Sequence, residues 1–341
     1  MTEKIAIIGA GSWGTALAKL LAEKGMDVLI WAYEDEVVKG INASHQNPFY
    51  LADITLPPRV RATSDPAMAL SERDYVVSVV PSFALRVVWQ NHGAYLEKNS
   101  ILVSCTKGFE ENSLKLMSQV LDDCLPDHPI NHRAVLSGPS FAKEVAMGLP
   151  TSVVIAGKDR NIIKKLQNLF RTDFFLTFTN DDMIGVEVGG AVKNVIAIAA
   201  GLSDGLSLGH NTRASIITRG LYEIIKIGNA LGASPLTFAG LSGIGDLVLT
   251  CTASESRNYT VGFELGKGKS LASITKGMRM VAEGIPTTHA VNELAKKHRI
   301  NVPICNAMYR ILFENLSPRQ AVTELCKMEL KDELGSILKR G

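Results

Sequence analysis

The segment Gly9-Ala10-Gly11-Ser12-Trp13-Gly14 constrains this chain more than any other. It is a G-x-G-x-x-G set between an apolar run, Lys4 to Ile8, and a helix-compatible stretch from Gly14 to Glu23, after which Val28 to Trp31 is apolar again. Strand, tight turn, helix and strand in that order are the context in which such a motif receives a dinucleotide. The first glycine permits the turn, the second lets a pyrophosphate approach the backbone, and the third lets the helix pack closely on the sheet. Free amides and the positive helix end then meet the phosphates. An ordinary glycine-rich turn is the bland alternative, and the placement favours a cofactor. Past the second strand, Glu34 or Asp35 offers a partner for a free ribose hydroxyl, although either equally suits a solvated turn. No arginine lies nearby to take the extra phosphate of NADP, which tilts the reading slightly towards NADH.

Further short β-rich runs follow at Tyr75 to Val80, Ile101 to Cys105, Ala134 to Ser137, Ser152 to Ile155 and Phe174 to Phe178, with helix-like intervals among them. Such alternation predicts a largely parallel sheet covered by helices. After about Asp181 the spacing becomes helical, at Ile184 to Ala200, Ala214 to Leu231, Thr287 to Lys297, Ile304 to Phe313 and Pro318 to Leu330, with no comparable β-rich series. The expected organisation is therefore an α/β domain over residues 1–181 and an all-helical domain over 182–341. The polar, proline-bearing stretch Ser44 to Pro58 reads as a loop beside the cofactor.

Composition narrows the function class. The 36 Lys+Arg nearly balance 34 Asp+Glu, unlike the basic excess of a nucleic-acid binder. The five cysteines are scattered without a close pair, suggesting neither a metal array nor a disulfide framework, and a reducing compartment is favoured. Ile5 to Ala18, with Ala16-Leu17-Ala18, superficially resembles a secretory signal, but Glu3 and Lys4 cancel in charge and three glycines interrupt the run. No uninterrupted apolar run elsewhere is long enough to span a bilayer, so no stable membrane insertion is expected. Apolar helical faces suit either internal packing or a homodimer interface.

Several later segments pair glycine with residues able to do charge chemistry: Thr106-Lys107-Gly108, Ser137 to Ala142, Gly189 to Asn194, Gly243-Ile244-Gly245-Asp246 and Ser256-Arg257-Asn258. Taken singly, Lys107 also reads as a surface lysine and Arg257 as the end of a polar loop. Lys193 stands apart, because it lies in a helical segment almost uncharged from Val188 to Leu202, and an unpaired buried ammonium is costly. Side chains lean towards the helix N-terminus, so Lys193 is expected to extend over Gly189 and Gly190, leaving room for a ligand beside its amine. Snorkelling to water from an interface helix is the alternative.

Taken together, GAGSWGTALA, TKG, SGPSFAKE, GGAVKNVIAI, ITRG, GIGDLVLTCT and SRN closely resemble, in order and spacing, the soluble bacterial-type NAD(P)-dependent glycerol-3-phosphate dehydrogenases. The likeness covers nearly the whole chain. It implies a Rossmann-type domain followed by a helical domain similar to that of 6-phosphogluconate dehydrogenases, and a cytoplasmic oxidoreductase that interconverts dihydroxyacetone phosphate and sn-glycerol 3-phosphate with NAD or NADP. The product would supply the glycerol backbone of phospholipids. By the same resemblance, Ser12, Trp13, Ala142, Val281 and Glu283 join Gly9, Gly11 and Gly14 at the cofactor, and Lys107 lies near cofactor and substrate. Gly138, Ser140, Asp246, Ser256, Arg257 and Asn258 match substrate-binding positions, Arg257 also near the cofactor, and Lys193 matches the catalytic lysine. Tyr33 stands near the adenosine ribose where relatives commonly carry a basic residue or histidine, a departure that bears on the choice between NADH and NADPH.

The chemistry fits these residues. Hydride delivered to a ketone carbon leaves negative charge growing on its oxygen, which a fixed ammonium such as Lys193 stabilises and then protonates. The reverse reaction needs the amine as base, and an ordinary lysine with pKa about 10.4 is almost wholly protonated at neutral pH. Desolvation or a neighbouring cation such as Lys107 lowers that value. Reduction is therefore expected to be favoured at neutral pH and oxidation at alkaline pH, with no metal required. Arg257 offers a planar fork for the substrate phosphate, with Ser256 and Asn258 adding donors. Competing readings are a dehydrogenase of the 3-hydroxyacid or 6-phosphogluconate type, and a nicotinamide-sensing module without turnover; GIGDLVLTCT and SRN favour glycerol phosphate over the former, and retention of the lysine and phosphate set speaks against the latter.

Overall fold

A computed structural model of the protein describes residues 3–278 and 281–328. Two compact units divide it: residues 1–107 with 115–186, and residues 108–114 with 187–341. The final two positions of the expected Pro318 to Leu330 helix lie outside the described residues.

The first unit is built on eight strands: β1 (Lys4–Ile8), β2 (Asp27–Trp31), β3 (Val60–Thr63), β4 (Tyr75–Ser78), β5 (Ile101–Ser104), β6 (Arg133–Ser137), β7 (Thr151–Gly157) and β8 (Phe175–Asn180). Its helices are α1 (Ser12–Glu23), α2 (Asp35–Ser44), α3 (Pro66–Leu70), α4 (Ser82–His92), α5 (Met117–Cys124), α6 (Ala142–Ala146) and α7 (Arg160–Phe170). Strand order is β3-β2-β1-β4-β5-β6-β7-β8. Every neighbouring pair is parallel except β6 and β7. The order reverses between β1 and β4, where Ile5 pairs with Val28 on one side and Tyr75 on the other. Crevices beyond the carboxyl ends of strands at such a reversal are where open α/β sheets bind ligands, and Gly9 follows β1 there.

Because β1 is paired on both edges and covered on both faces, its residues are apolar without alternation. Ile5 and Ile7 join Leu17, Leu21, Ile30 and Val77 in one core layer, while Ala6 and Ile8 join Val76, Leu102, Trp89 and Leu121 in the other. Complete burial of a side chain such as Leu17 contributes about 1.5–3 kcal/mol. The stretch Ile5 to Ala18 is thus β1, the glycine turn and the first half of α1. Strand β3 is absent from the run of strands read from the sequence, and Ser44 to Pro58 holds a Gln46–Thr55 bridge.

The second unit is helical, with no strand among its described residues. It contains α8 (Met183–Gly205), which begins just before the division, then α9 (Gly209–Ala230), α10 (Asp246–Thr252), α11 (Arg257–Gly266), α12 (Leu271–Thr275), α13 (Gly284–His298), α14 (Pro303–Phe313) and α15 (Pro318–Cys326). One helix passes a length-and-composition test for crossing a membrane: α8 has 23 residues, and its most apolar 18-residue window has a mean hydropathy of 1.5, although Glu187 and Lys193 interrupt the apolar run. Of its most apolar window, 83% is buried inside the protein, so the hydrophobicity serves a core helix. At the start of α14, the buried Glu223 carboxylate of α9 accepts the N–H groups of Ile304 and Cys305 at 2.7 and 2.9 Å. Burial raises its pKa to about 7, against the opposing pull of those two donors.

Candidate active site

In the glycine turn, each glycine meets a different steric demand. Gly9 has φ +114°, and a Cβ there would lie 3.0 Å from the Val79 backbone. At Gly14 a Cβ would fall 2.0 Å from Gly9 O, so only glycine lets α1 start this close to β1. Around Gly11 no heavy atom lies within 4 Å of the Cβ position, which leaves the space a close-approaching phosphate needs. Gly11 caps α1 without a side-chain acceptor, and no acidic residue occupies the first turn, so the positive helix end is not neutralised locally.

Asn47, a residue the sequence reading passed over, braces this turn. Fully buried, it donates to Ala10 O and Thr15 Oγ1, each at 2.8 Å, while its Oδ1 accepts from the backbone N–H groups of Phe49 and Tyr50. The Asn47-Pro48 dipeptide announces a turn, but nothing local names its partners. The half-buried Trp13 hydrogen-bonds the Cys105 thiol, whose pKa burial pushes up to about 12 while Lys107 and Trp13 lower it. Tyr33 is 85% exposed just past β2. Its neighbour Glu34 accepts the Tyr50 hydroxyl at 3.1 Å.

At the ends of β5 and β6, the structure brings together three of the expected residues. Lys107 Nζ and Ser140 Oγ both donate to Gly138 O, at 3.2 and 3.1 Å. Gly138 has φ +132°, and a Cβ would lie 3.0 Å from Val153 Cα. Ala142 opens α6 and packs against the core shared with α1.

The second unit assembles a separate constellation around Lys193. Lys193 is 7% exposed and Asp246 1% exposed. The ammonium donates to Asp246 Oδ1 at 2.5 Å and to Thr250 Oγ1 at 2.7 Å. Thr250, one helical turn after Asp246, returns its own proton to Asp246 O at 2.6 Å. Asp246 is the first residue of α10, where the helix dipole favours a carboxylate. A π-type turn at Leu241–Gly245, kinked at Gly243, delivers it there. The space beside Gly189 is filled by this turn and is not left open for a ligand: a Cβ on Gly189 would lie 2.4 Å from Ser242 O. The glycine serves close backbone packing that brings Asp246 to the lysine, a partner 53 residues away.

Ser256 caps α11 by accepting the Tyr259 N–H at 3.2 Å. Arg257 Nη1 donates to Val281 O at 2.8 Å. Desolvation lowers the guanidinium pKa and Glu283 raises it. Both ends of the Asn258 carboxamide are engaged, donating to Asn194 Oδ1 and accepting from Gly284 N, each at 2.9 Å. Val281 and Glu283 immediately precede α13, so Arg257, Asn258 and this corner form one set within the unit.

Family models match both parts of the chain. A family model described as NAD-dependent glycerol-3-phosphate dehydrogenase N-terminus matches residues 4–163, and its C-terminus counterpart matches residues 182–323. The chain belongs to the NAD-dependent glycerol-3-phosphate dehydrogenase family. A member from Citrifermentans bemidjiense, named glycerol-3-phosphate dehydrogenase NAD(P)+, is 49% identical over 333 residues, covering 98% of this chain and 99% of the relative. The enzyme of the same name from Nitratidesulfovibrio vulgaris is 49% identical over 330 residues, covering 97% and 100%. Among solved structures, glycerol-3-phosphate dehydrogenase from Coxiella burnetii superposes with a TM-score of 0.92 at 41% identity, covering 96% of this chain and 99% of that one. D-Mandelate dehydrogenase, at 15% identity and a TM-score of 0.61 over 94% of this chain and 99% of that one, shares the fold.

Proposed function

We propose that this glycerol-3-phosphate dehydrogenase family member interconverts dihydroxyacetone phosphate and sn-glycerol 3-phosphate with NAD or NADP. The observation that carries the reading is the buried ammonium of Lys193, oriented by Asp246 and Thr250 in a chain whose full-length relatives bear that enzyme name. In this reading residues 1–181 form the dinucleotide-binding domain and residues 182–341 the helical substrate and catalytic domain.

The glycine turn fits a dinucleotide, since Gly11 is open, Gly9 and Gly14 are sterically required, and the α1 N-terminus carries no acidic residue. Gly9, Gly11, Ser12, Trp13 and Gly14 would hold the cofactor, with Tyr33 towards the ribose and Lys107, Ala142, Arg257, Val281 and Glu283 completing the set. The reduced nicotinamide supplies the hydride when bound. Lys193 stabilises the negative charge that develops on the substrate ketone oxygen and donates the proton that makes the alcohol. In the reverse direction its amine accepts that proton, and Asp246 holds the nitrogen in place. Arg257 forms a charge-assisted contact with the substrate phosphate. Because the Asn258 carboxamide is already engaged at both ends, its contribution would come from the backbone N–H of the first turn of α11. Lys107, Gly138, Ser140 and Ser256 complete the substrate set. No disulfide joins the cysteines among the described residues, which supports a cytoplasmic enzyme, and its product would feed phospholipid synthesis.

The test is the near-ultraviolet absorbance of NADH, and separately NADPH, mixed with dihydroxyacetone phosphate. Expected is oxidation that requires the phosphate, since unphosphorylated dihydroxyacetone is a poor substitute, and that Lys193→Ala abolishes. Turnover by Lys193→Ala equal to the wild type overturns the role of the lysine. Failure of both cofactors to react, with folding and cofactor binding demonstrated, overturns the reaction.

A further inference from the structure

Resting on that functional reading, we infer that Asp204, Tyr259 and Arg213 are positioning residues that set how firmly the enzyme holds the phosphate of its substrate. The three come from α8, α11 and α9. Asp204 Oδ2 accepts the Tyr259 hydroxyl at 2.6 Å and the Arg213 Nη1 proton at 2.7 Å. Arg213 Nη2 lies 3.0 Å from His210 Nδ1. Tyr259 follows Asn258 directly, and its own N–H is held by Ser256 Oγ, so the ring anchors the Ser256–Asn258 turn from behind.

The α8–α11 contact explains why this anchor matters. A Cβ on Gly201 would lie 1.9 Å from Tyr259 O, and one on Gly262 would lie 1.9 Å from Ile198 O. The two helices therefore touch backbone to backbone. Side chains at helix contacts normally form ridges that lodge in facing grooves and fix register; a glycine contact gives proximity without such ridges. Register along α8 then depends on polar ties. One tie is Asn194 to Asn258, which lies within the proposed substrate set. The other is Asp204 to Tyr259, eleven residues beyond Lys193 along α8, or about 16 Å at 1.5 Å per residue. At that distance Asp204 takes no part in proton transfer, but it holds the turn that carries Arg257 on the helix that carries Lys193. Burial and the Asp204 charge both raise the Tyr259 pKa, so the phenol stays a donor.

The experiment compares wild type, Tyr259→Phe, Asp204→Asn and Asp204→Ala, measuring kcat, KM for dihydroxyacetone phosphate, KM for NADH, and the inhibition constant of inorganic phosphate. Tyr259→Phe keeps the ring and removes one hydrogen bond. The expected result is a rise of about 5- to 10-fold in both the substrate KM and the phosphate inhibition constant, the size of one net hydrogen bond. Turnover and KM for NADH stay within twofold of wild type. Asp204→Asn, which keeps an acceptor for the phenol, gives a smaller rise than Asp204→Ala. Unchanged KM and phosphate inhibition in Tyr259→Phe overturn the inference, as does a fall in kcat that accompanies or replaces the KM effect. Wild-type protein that fails to reduce dihydroxyacetone phosphate overturns the functional reading first, and this inference with it; an active wild type with indifferent variants overturns this inference alone.

Discussion

Replacing Asp246 with alanine strands a buried ammonium, and the structure allows the cost to be worked out. At 2.5 Å and an effective dielectric of about 20, the gross attraction between Lys193 and Asp246 is about 7 kcal/mol. Desolvating the two ions costs several kcal/mol each, so the intact pair contributes little net stability. Its rupture is another matter, because it leaves the Lys193 side chain in a site almost closed to water without its carboxylate, with Thr250 as one remaining acceptor. Asp246→Ala is expected to destabilise the protein by about 3–5 kcal/mol, the usual cost of breaking a buried pair from one side. For a unit of this size, at roughly 2–4 °C per kcal/mol, the melting transition drops by roughly 6–20 °C. The double variant Lys193→Met/Asp246→Leu removes both charges and restores most of that loss while abolishing turnover. Scanning calorimetry of the three proteins at pH 7 decides the matter. A double variant as unstable as Asp246→Ala, or a single variant as stable as wild type, refutes the idea that an uncompensated ammonium carries the cost.

Gly11→Ala and Gly14→Ala should separate binding from folding: the former melts like wild type but binds NADH more weakly by fluorescence titration, whereas the latter, with a Cβ 2.0 Å from Gly9 O, melts lower. Equal melting shifts would contradict this division. Glu223 has its pKa raised to about 7, so between about pH 4.5 and 7 the unfolded chain has lost a proton that the fold retains, and stability falls as pH rises through that window. The contribution is about 3 kcal/mol, and Glu223→Gln should remove it; parallel stability curves for the two proteins from pH 4.5 to 7 would show the shift to be absent. Arg257→Ala should raise KM for the phosphorylated substrate roughly 10- to 100-fold with a much smaller change in kcat. Steady-state kinetics showing the loss in kcat alone would move Arg257 out of phosphate binding.

The parts of the fold legible in the sequence are those whose signal is local. Strands β1, β4, β5 and β6 are continuous apolar runs because both faces are covered, and the glycine turn announces itself by spacing. Strand β3 escaped because Val60–Thr63 is four residues with an exposed arginine, shaped by its place at the sheet edge. Lys193 could be singled out as a charge in an apolar helix, but the space beside Gly189 was misread, since a glycine looks the same whether a ligand or a backbone fills the gap. Asn47 and Tyr259 were invisible as braces: Asn47 meets Ala10 across 37 positions, and Tyr259 meets Asp204 across 55. Polar side chains of this kind carry no periodicity, and only the folded backbone names their partners.

Seven residues between Lys107 and Lys115 belong with the helical unit although the chain on either side belongs with the sheet. Among them Phe109 is only 2% exposed. A gene fragment ending at residue 186 would therefore encode the sheet together with an insert that belongs with residues encoded downstream. The two units are not interchangeable cassettes: recombination that swaps one for a foreign counterpart must also carry this short insert across, or part it from the unit it belongs with.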